Sequence, residues 1–389
     1  MALFRHITST VWVLSLVSLF TDMASEMLYP VMPLYLKQIG FSVLLIGILE
    51  GLAEATAGLS KGYFGRQSDL SGKRVPFVQW GYALSAMSKP LLALWTHPAW
   101  VFGARTLDRL GKGIRTGARD ALLSDEAADG TKGTVFGFHR AMDTLGAALG
   151  PALALVFLSI YPEHYRELFL VAFFPGLIAV FSSFRLHGKT KNLLPKKAKP
   201  SFFSSIGYWK ESPAAYRKLC IGLLAFALFN SSDVFLLLRA KESGMDDRML
   251  IGLYIAYNLV YALASYPLGM LADRIGLKNI MLFGILVFAG VYFGMAHFHD
   301  EYALATLFLL YGLYAAATDG NSKAWISILV AKEDTATALG SFAGFQSIAA
   351  LLASSLAGLL WMVAGAEISL LTSAIAACAV AVYLRVFMK

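Results

Sequence analysis

Apolar residues in this chain gather into long runs separated by short polar stretches, without the two- or 3.6-residue alternation of a half-buried soluble element. Twelve such runs lie near residues 8–38, 42–66, 74–95, 98–118, 134–158, 166–186, 216–240, 248–272, 277–297, 302–322, 336–361 and 367–387. A helix crosses the hydrocarbon core of a bilayer with about 20 apolar residues, so the pattern predicts twelve transmembrane helices. A transmembrane β-barrel would show strands of about 10 residues in strict alternation. The expected fold class is therefore an all-α polytopic membrane protein. Short loops leave no room for a sizeable soluble domain.

Composition agrees. Of 389 residues, 57% are hydrophobic and 15% charged, and the mean hydropathy is +0.62. A soluble protein carries roughly 25% charged residues. The net charge of +8 would suggest a nucleic-acid partner in a soluble chain, but here its placement decides. Arg5, Lys61, Arg66, Lys73, Arg74, Lys132, Arg274, Lys278, Lys332 and Arg385 fall on alternate loops, together with a central group from Lys189 to Lys218. The opposite loops carry few bases, and acids such as Glu163, Glu167, Asp300 and Glu301. The positive-inside rule then puts both termini in the cytoplasm of a cell with a bacterial-style inner membrane, and no nucleic acid is expected. Arg5 followed by Val11 to Phe20 resembles a secretory signal, but apolar character resumes at Met27 to Leu36 with no small-residue cleavage site, so the first run reads as an uncleaved helix. Cys220 and Cys378 each sit inside an expected span, which excludes a disulfide framework and a cysteine metal cluster.

The longest polar interruption, residues 187–215, is rich in lysine and carries Pro195 and Pro200. It divides the spans six and six, giving one bundle over 1–186, a cytoplasmic linker, and a second bundle over 216–389. An internal repeat supports the cut. Gly65-Arg66-Gln67-Ser68-Asp69-Leu70-Ser71-Gly72-Lys73-Arg74 lies after the second run, and Gly269-Met270-Leu271-Ala272-Asp273-Arg274-Ile275-Gly276-Leu277-Lys278 after the eighth. Both read Gly, three residues, Asp, two residues, Gly, then bases. Duplication across a central linker is a common plan of secondary transporters.

These loops, twice over, resemble the signature between helices 2 and 3 of the major facilitator superfamily, and the six-plus-six layout extends the resemblance over the whole chain. Leu70 departs from the family's Asp-Arg pair, which Asp273 and Arg274 keep. Gly65 and Gly269 allow close helix packing, while Asp69 and Asp273 can pair with bases or cap a neighbouring helix N-terminus, on the cytoplasmic face between the halves. In the fifth run, Gly137, Gly146 and Gly150-Pro151 are similar to the helix-5 signature of the superfamily's proton-driven exporters, although Ala154 and Leu155 stand where that branch has glycines. Such glycines let the helix approach a neighbour of the other half, and Pro151 bends it.

Ionisable groups inside the spans are the main functional signal, because each costs at least about 2.5–3.5 kcal/mol at mid-bilayer on insertion scales. At 1.5 Å per residue, Asp22 lies roughly 20 Å deep with Glu26 one turn on, Glu50 and Glu54 about 12 and 18 Å, Arg105, Asp108 and Arg109 roughly 10–17 Å, and Asp143 about 14 Å. Arg105, Asp108, Arg109, Lys112, Arg115 and Arg119 form a stripe down one helix, which must face the bundle interior or a wet cavity. Three mid-depth bases, Arg105, Arg109 and Lys112, do not balance six mid-depth acids, so protons or a cationic substrate complete the set. Lys89, His139 and Arg140 add positive charge if they point inward. The resemblance implies that an acid on the first helix and an arginine on the fourth, Asp22 and Arg105 here, contribute to proton coupling.

The second half carries Asp233 and Asp319 among neutral groups: Asn230, Ser231, Ser232, Asn258, Tyr261, Tyr311, Tyr314 and Gln346. Amides, hydroxyls and aromatic rings suit a partly apolar organic molecule. Coupling is thus expected in the first half and much of the selectivity in the second. No phosphate-binding Gly-x-x-x-x-Gly-Lys-Ser/Thr run, nucleophile elbow or His-rich metal motif occurs, so no enzyme activity and no cofactor beyond a proton gradient is expected. The reading is a monomeric secondary transporter that exports a small organic molecule in exchange for protons. Alternatives are proton-coupled uptake of an organic anion held by Arg105 and Arg109, metal-ion export through Asp22 and Glu26, and a non-transporting membrane receptor.

Overall fold

The computed structural model describes residues 6–29, 31–186 and 204–388. Among these residues the chain is helical, with no strand. In the first half the helices are α1 (Ser9–Glu26), α2 (Met32–Gln38), α3 (Val43–Ser71), α4 (Val75–Leu94), α5 (Pro98–Glu126), α6 (Lys132–Ile160) and α7 (Tyr165–Ser183). A short helix, α8 (Ser204–Glu211), follows inside the stretch expected as linker, whose residues 187–203 lie outside the described residues. The second half contains α9 (Ala214–Ala227), α10 (Val234–Glu242), α11 (Asp247–Ile275), α12 (Leu277–His297), α13 (Glu301–Ile328), α14 (Thr335–Ala364) and α15 (Ala366–Phe387).

Among the described residues, ten of the twelve expected spans are unbroken helices and two are broken, α1 with α2 and α9 with α10. Among the described residues, seven stretches are long and apolar enough to cross a membrane on those grounds alone: α6, α7, Met249–Ile275 of α11, α12, α13, Lys332–Ala364 and α15. The others are interrupted or carry the chain's interior charge. The hydropathy pattern reads α9 and α10 as one continuous run, but the helix stops at Ala227 and restarts at Val234. Between them lies Asn230-Ser231-Ser232-Asp233. Such side chains offer the backbone alternative hydrogen bonds, which is why they disfavour helix interiors. In the first run, the helix stops at Glu26 and restarts at Met32, with Pro33 in the first turn of α2, where the amide that proline lacks would have no helical partner.

The chain clusters into two compact units, one made of residues 1–127, 142–211 and 331–344, the other of 128–141, 212–330 and 345–389. Within the first, α4 packs on α5 and α7, α3 on α5, and α1 on α7. Within the second, α12 packs on α13 and α15, α11 on α13, and α9 on α15. The same packing scheme therefore occurs twice. The repeated loops end their helices alike: Gly72 after α3 and Gly276 after α11 take φ values of +65° and +98°. Only glycine adopts such angles without cost, so the second glycine of each motif is a helix stop.

Candidate functional site

In the first unit, the buried face of α5 carries charge. Arg105, Asp108, Arg115 and Arg119 are buried, while Lys112 is exposed. Asp108 is held from α4: Lys89, 2% exposed, places Nζ 2.7 Å from its Oδ1, and the Ser85 hydroxyl donates to the same oxygen at 2.8 Å. Lys89 also donates to Ser25 on α1 at 3.1 Å. Arg115 donates to Ser85 at 2.9 Å and lies over the Tyr82 ring, 4.6 Å from its centroid. Arg105 stands 3.9 Å from the other carboxylate oxygen of Asp108. The network joins α1, α4 and α5 through one lysine whose orientation its sequence position left open.

A second group lies where α1, α5 and α6 meet. The Ser18 hydroxyl donates to Asp143 Oδ1 at 2.5 Å, and Arg119, paired with Asp120 at 2.9 Å, reaches the same oxygen at 4.0 Å. The Asp22 carboxyl is within hydrogen-bond reach of Asp143, and Lys112 and Arg115 are among the positive charges that act on it. Glu26, one turn on, feels Lys112 and Arg109. Asp22 and Glu26 are both half-buried. Glu50 and Glu54 lie on α3, but their side chains fall outside the described residues.

In the second unit, Asp319 on α13 is engaged by Arg140 of α6 and by the Tyr261 hydroxyl of α11. The Arg140 guanidinium also sits 5.3 Å from the centre of the Tyr261 ring. Asn230 donates to the Tyr314 hydroxyl at 2.7 Å, and Tyr311 donates to Asp233 at 3.0 Å. Asn258 turns to its own helix, donating to the Tyr254 carbonyl at 3.0 Å. Gln346 is half-buried on α14 and, among the described residues, is joined to none of these groups. Residues that sequence reasoning left aside, Tyr257 and Tyr292, stack in the same cluster, Tyr257 against Tyr311 at 5.4 Å. The spacing of Tyr257 from Tyr254 and Tyr261 along α11 was the available signal for the first; Tyr292 lies on α12.

Both motif aspartates cap helix starts. Asp69 accepts the Thr337 amide at 2.6 Å, the Thr337 hydroxyl at 2.8 Å and the Ala336 amide at 3.3 Å, all in the first turn of α14. Asp273 accepts the Gly133 amide at 2.7 Å, the Thr134 amide at 2.6 Å and the Thr134 hydroxyl at 2.6 Å, in the first turn of α6. Free amides and the helix dipole make a helix start an anion site, so each aspartate binds a segment from the other half of the sequence. Arg74 locks the first cap, 3.3 Å from Asp69 and 3.3 Å from Asp125, and donates to the Lys332 carbonyl at 3.0 Å. In the second copy Arg274 is exposed, and Lys278, at the position of Arg74, bonds the carbonyls of Arg385 and Met388 instead. Asp69 lies beyond the apolar stretch of α3. Burial pushes its carboxyl up to about 7, with Arg74 and the cap donors pulling the other way.

Glycine spacing sets these approaches. A Cβ at Gly65 would overlap the Ala336 carbonyl, and one at Gly269 the Gly133 carbonyl. Gly137 meets the Ser265 carbonyl on α11, whereas Gly146 and Gly150 meet Leu19 and Met23 on α1. Pro151 lies inside α6, one residue beyond Gly150. Gly269→Val should push α6 and α11 apart and expose Ser265, which is 1% accessible. Labelling of a Ser265→Cys probe in a Cys220→Ser/Cys378→Ser background checks this, and an unchanged labelling rate would contradict it.

A family model described as Major Facilitator Superfamily matches residues 14–257 and 236–389. The chain belongs to the major facilitator superfamily. As a superfamily member it is a membrane-spanning transporter and not an enzyme. It is 36% identical over 367 residues to an MFS-type transporter of Methanocaldococcus jannaschii, covering 92% of this chain and 90% of the relative. It is 23% identical over 329 residues to a protein of Lactococcus lactis named as a homologue of the multidrug resistance efflux pump PmrA, covering 81% and 78%. Among solved structures, the human organic anion transporter MFSD10 superimposes with a TM-score of 0.80 at 16% identity, covering 98% of this chain and 99% of that one. A variant of the E. coli fucose:proton symporter gives 0.75 at 14%, covering 99% and 100%. These two likenesses establish the MFS fold.

Proposed function

We propose that this transporter exports a small organic molecule in exchange for protons, by alternating access, as a monomer in an inner membrane with both termini in the cytoplasm. Its working halves are residues 1–186 and 216–389, joined by the linker 187–215. The observation that carries the coupling role is the Asp22 carboxyl beside that of Asp143, with no direct ion pair to a cation among the described residues and with Lys112 and Arg115 among the positive charges that act on it. Carboxyl groups set against one another inside a membrane are suited to taking up and releasing a proton. Supporting the export direction is the Lactococcus relative, whose name describes an efflux pump. The matched caps of Asp69 and Asp273 supply the cytoplasmic gate: each holds a helix start of the opposite half and must release it for the inward-open state.

Asp69→Ala and Asp273→Ala each remove a cap, a change of about 0.5–2 kcal/mol that shifts the balance of states roughly two- to thirtyfold. Cysteines introduced at Ser68 and Ser265, both buried, should label correspondingly faster. The pH dependence has a definite sign. The capped Asp69 carboxyl titrates at about 7, whereas an exposed aspartate titrates near 3.9. The capped form therefore binds the proton more tightly, and closure strengthens as the pH falls from above 7 toward 4. Labelling at Ser68→Cys, taken relative to the unfolded protein at each pH because the thiolate fraction itself falls with pH, should slow over that range, and Asp69→Ala should remove the slope. Equal labelling in wild type and both alanine variants would sink the gate.

A further inference from the structure

Asp233 occupies the position before α10 where an aspartate ordinarily caps the first backbone amides. It makes no such bond. Its carboxylate turns to Tyr311, whose hydroxyl donates at 3.0 Å, with the Tyr257 hydroxyl also within reach. Four cations of the same unit have other partners. Arg140 is taken by Asp319, Arg239 donates to the Met295 carbonyl at 2.9 Å, Lys132 to the Ser327 carbonyl at 3.0 Å, and Lys278 to the end of the chain. Among the described residues, no lysine, arginine or histidine forms an ion pair with Asp233.

Aromatic rings surround this acid. Tyr257 and Tyr311 stack 5.4 Å apart at 25°, Phe288 and Tyr292 4.0 Å apart at 25°, and Tyr311 lies 6.2 Å from Tyr292. These rings are buried, while Asn230 and Asp233 are half-buried where the chain unwinds between α9 and α10. A carboxylate in such a setting needs a positive partner, and ring faces attract cations through their quadrupole. An anion would meet the like charge of Asp233, and a neutral isostere would leave that charge unanswered.

We propose that Asp233, backed by the aromatic cluster of Tyr257, Tyr292 and Tyr311, is the substrate-selecting site and that it takes a lipophilic organic cation, an ammonium or phosphonium. This rests on the reading of the chain as a carrier of a small organic molecule and names that molecule's charge class. Calorimetry on the purified full-length protein in nanodiscs tests it with an isosteric pair, tetraphenylphosphonium and tetraphenylborate. The cation should bind and the anion should not. Asp233→Asn should weaken cation binding at least tenfold without lowering the melting temperature, while Asp233→Glu retains most of it. Should Asp233→Asn fail to fold, Tyr311→Leu, which removes a ring face, and Asp233→Glu carry the same comparison. Equal binding of both ions, no binding of the cation to wild type, or wild-type affinity in Asp233→Asn would each overturn the assignment. Equilibrium binding needs no flux. Cation binding without gradient-driven transport would therefore count against the exchange mechanism alone, and transport of a neutral or anionic probe without cation binding against this assignment alone.

Discussion

Replacing Asp22 and Asp143 together by asparagine abolishes pH-driven transport while the protein still inserts and folds. The amide keeps the size of the carboxyl and much of its hydrogen bonding, including an acceptor for the Ser18 hydroxyl that now donates to Asp143 at 2.5 Å. It has no proton to exchange. Each single variant should lose most of the gradient-driven rate, and the double variant should fall to the level of empty vesicles. Substrate exchange at equal pH on both sides needs no net proton movement and should persist. Flux measured in proteoliposomes, with melting temperature as the control for folding, decides it. Full gradient-driven flux in both single variants and in the double variant would remove these acids from the coupling step.

The largest effect on stability belongs to Lys89 and Asp108. Lys89 is 2% exposed and Asp108 7%, with 2.7 Å between ammonium and carboxylate. Removing one partner leaves the other charge buried, a loss on the order of 3–5 kcal/mol, whereas replacing both by apolar residues of similar volume is often neutral. Lys89→Met should therefore lower the melting temperature sharply and reduce expression, and Lys89→Met/Asp108→Leu should recover most of the loss. Arg105→Ala should cost much less, since Asp108 keeps the lysine and the Ser85 hydroxyl. A melting temperature for Lys89→Met equal to wild type, or a double variant worse than the single, would contradict the pairing. Lys89 thus ties α4 to α5 through Asp108.

Hydropathy made the twelve spans legible because bilayer thickness sets a length that apolar runs must meet. The duplicated loop gave the caps and the helix stops, since Gly65, Asp69 and Gly72 recur as Gly269, Asp273 and Gly276 and both copies end in a left-handed glycine. What sequence did not give is rotation about each helix axis. Lys89 reads as an isolated charge in an apolar run, yet its partner Asp108 comes from another helix. Gly146 and Gly150 continue the spacing of Gly137 but meet α1, while Gly137 meets α11. Likewise Asn258 and Gln346 look like cavity groups by depth, but the first bonds its own helix and the second joins none of the cluster. The break at Asn230 to Asp233 escaped because hydropathy averages over a window wider than the interruption.

Proton-coupled export is the central claim, and flux into acid-loaded proteoliposomes tests it most directly. With the membrane potential clamped at zero by potassium and valinomycin, the vesicles are offered three probes that do not themselves redistribute with pH: tetraphenylphosphonium, p-toluenesulfonate and L-fucose. The account predicts uptake of the cation into the acid interior as protons leave, collapsed by a protonophore and lost in the Asp22→Asn/Asp143→Asn variant. Movement of a probe out of the acid interior together with protons, or no gradient-driven movement of any of the three, would contradict it.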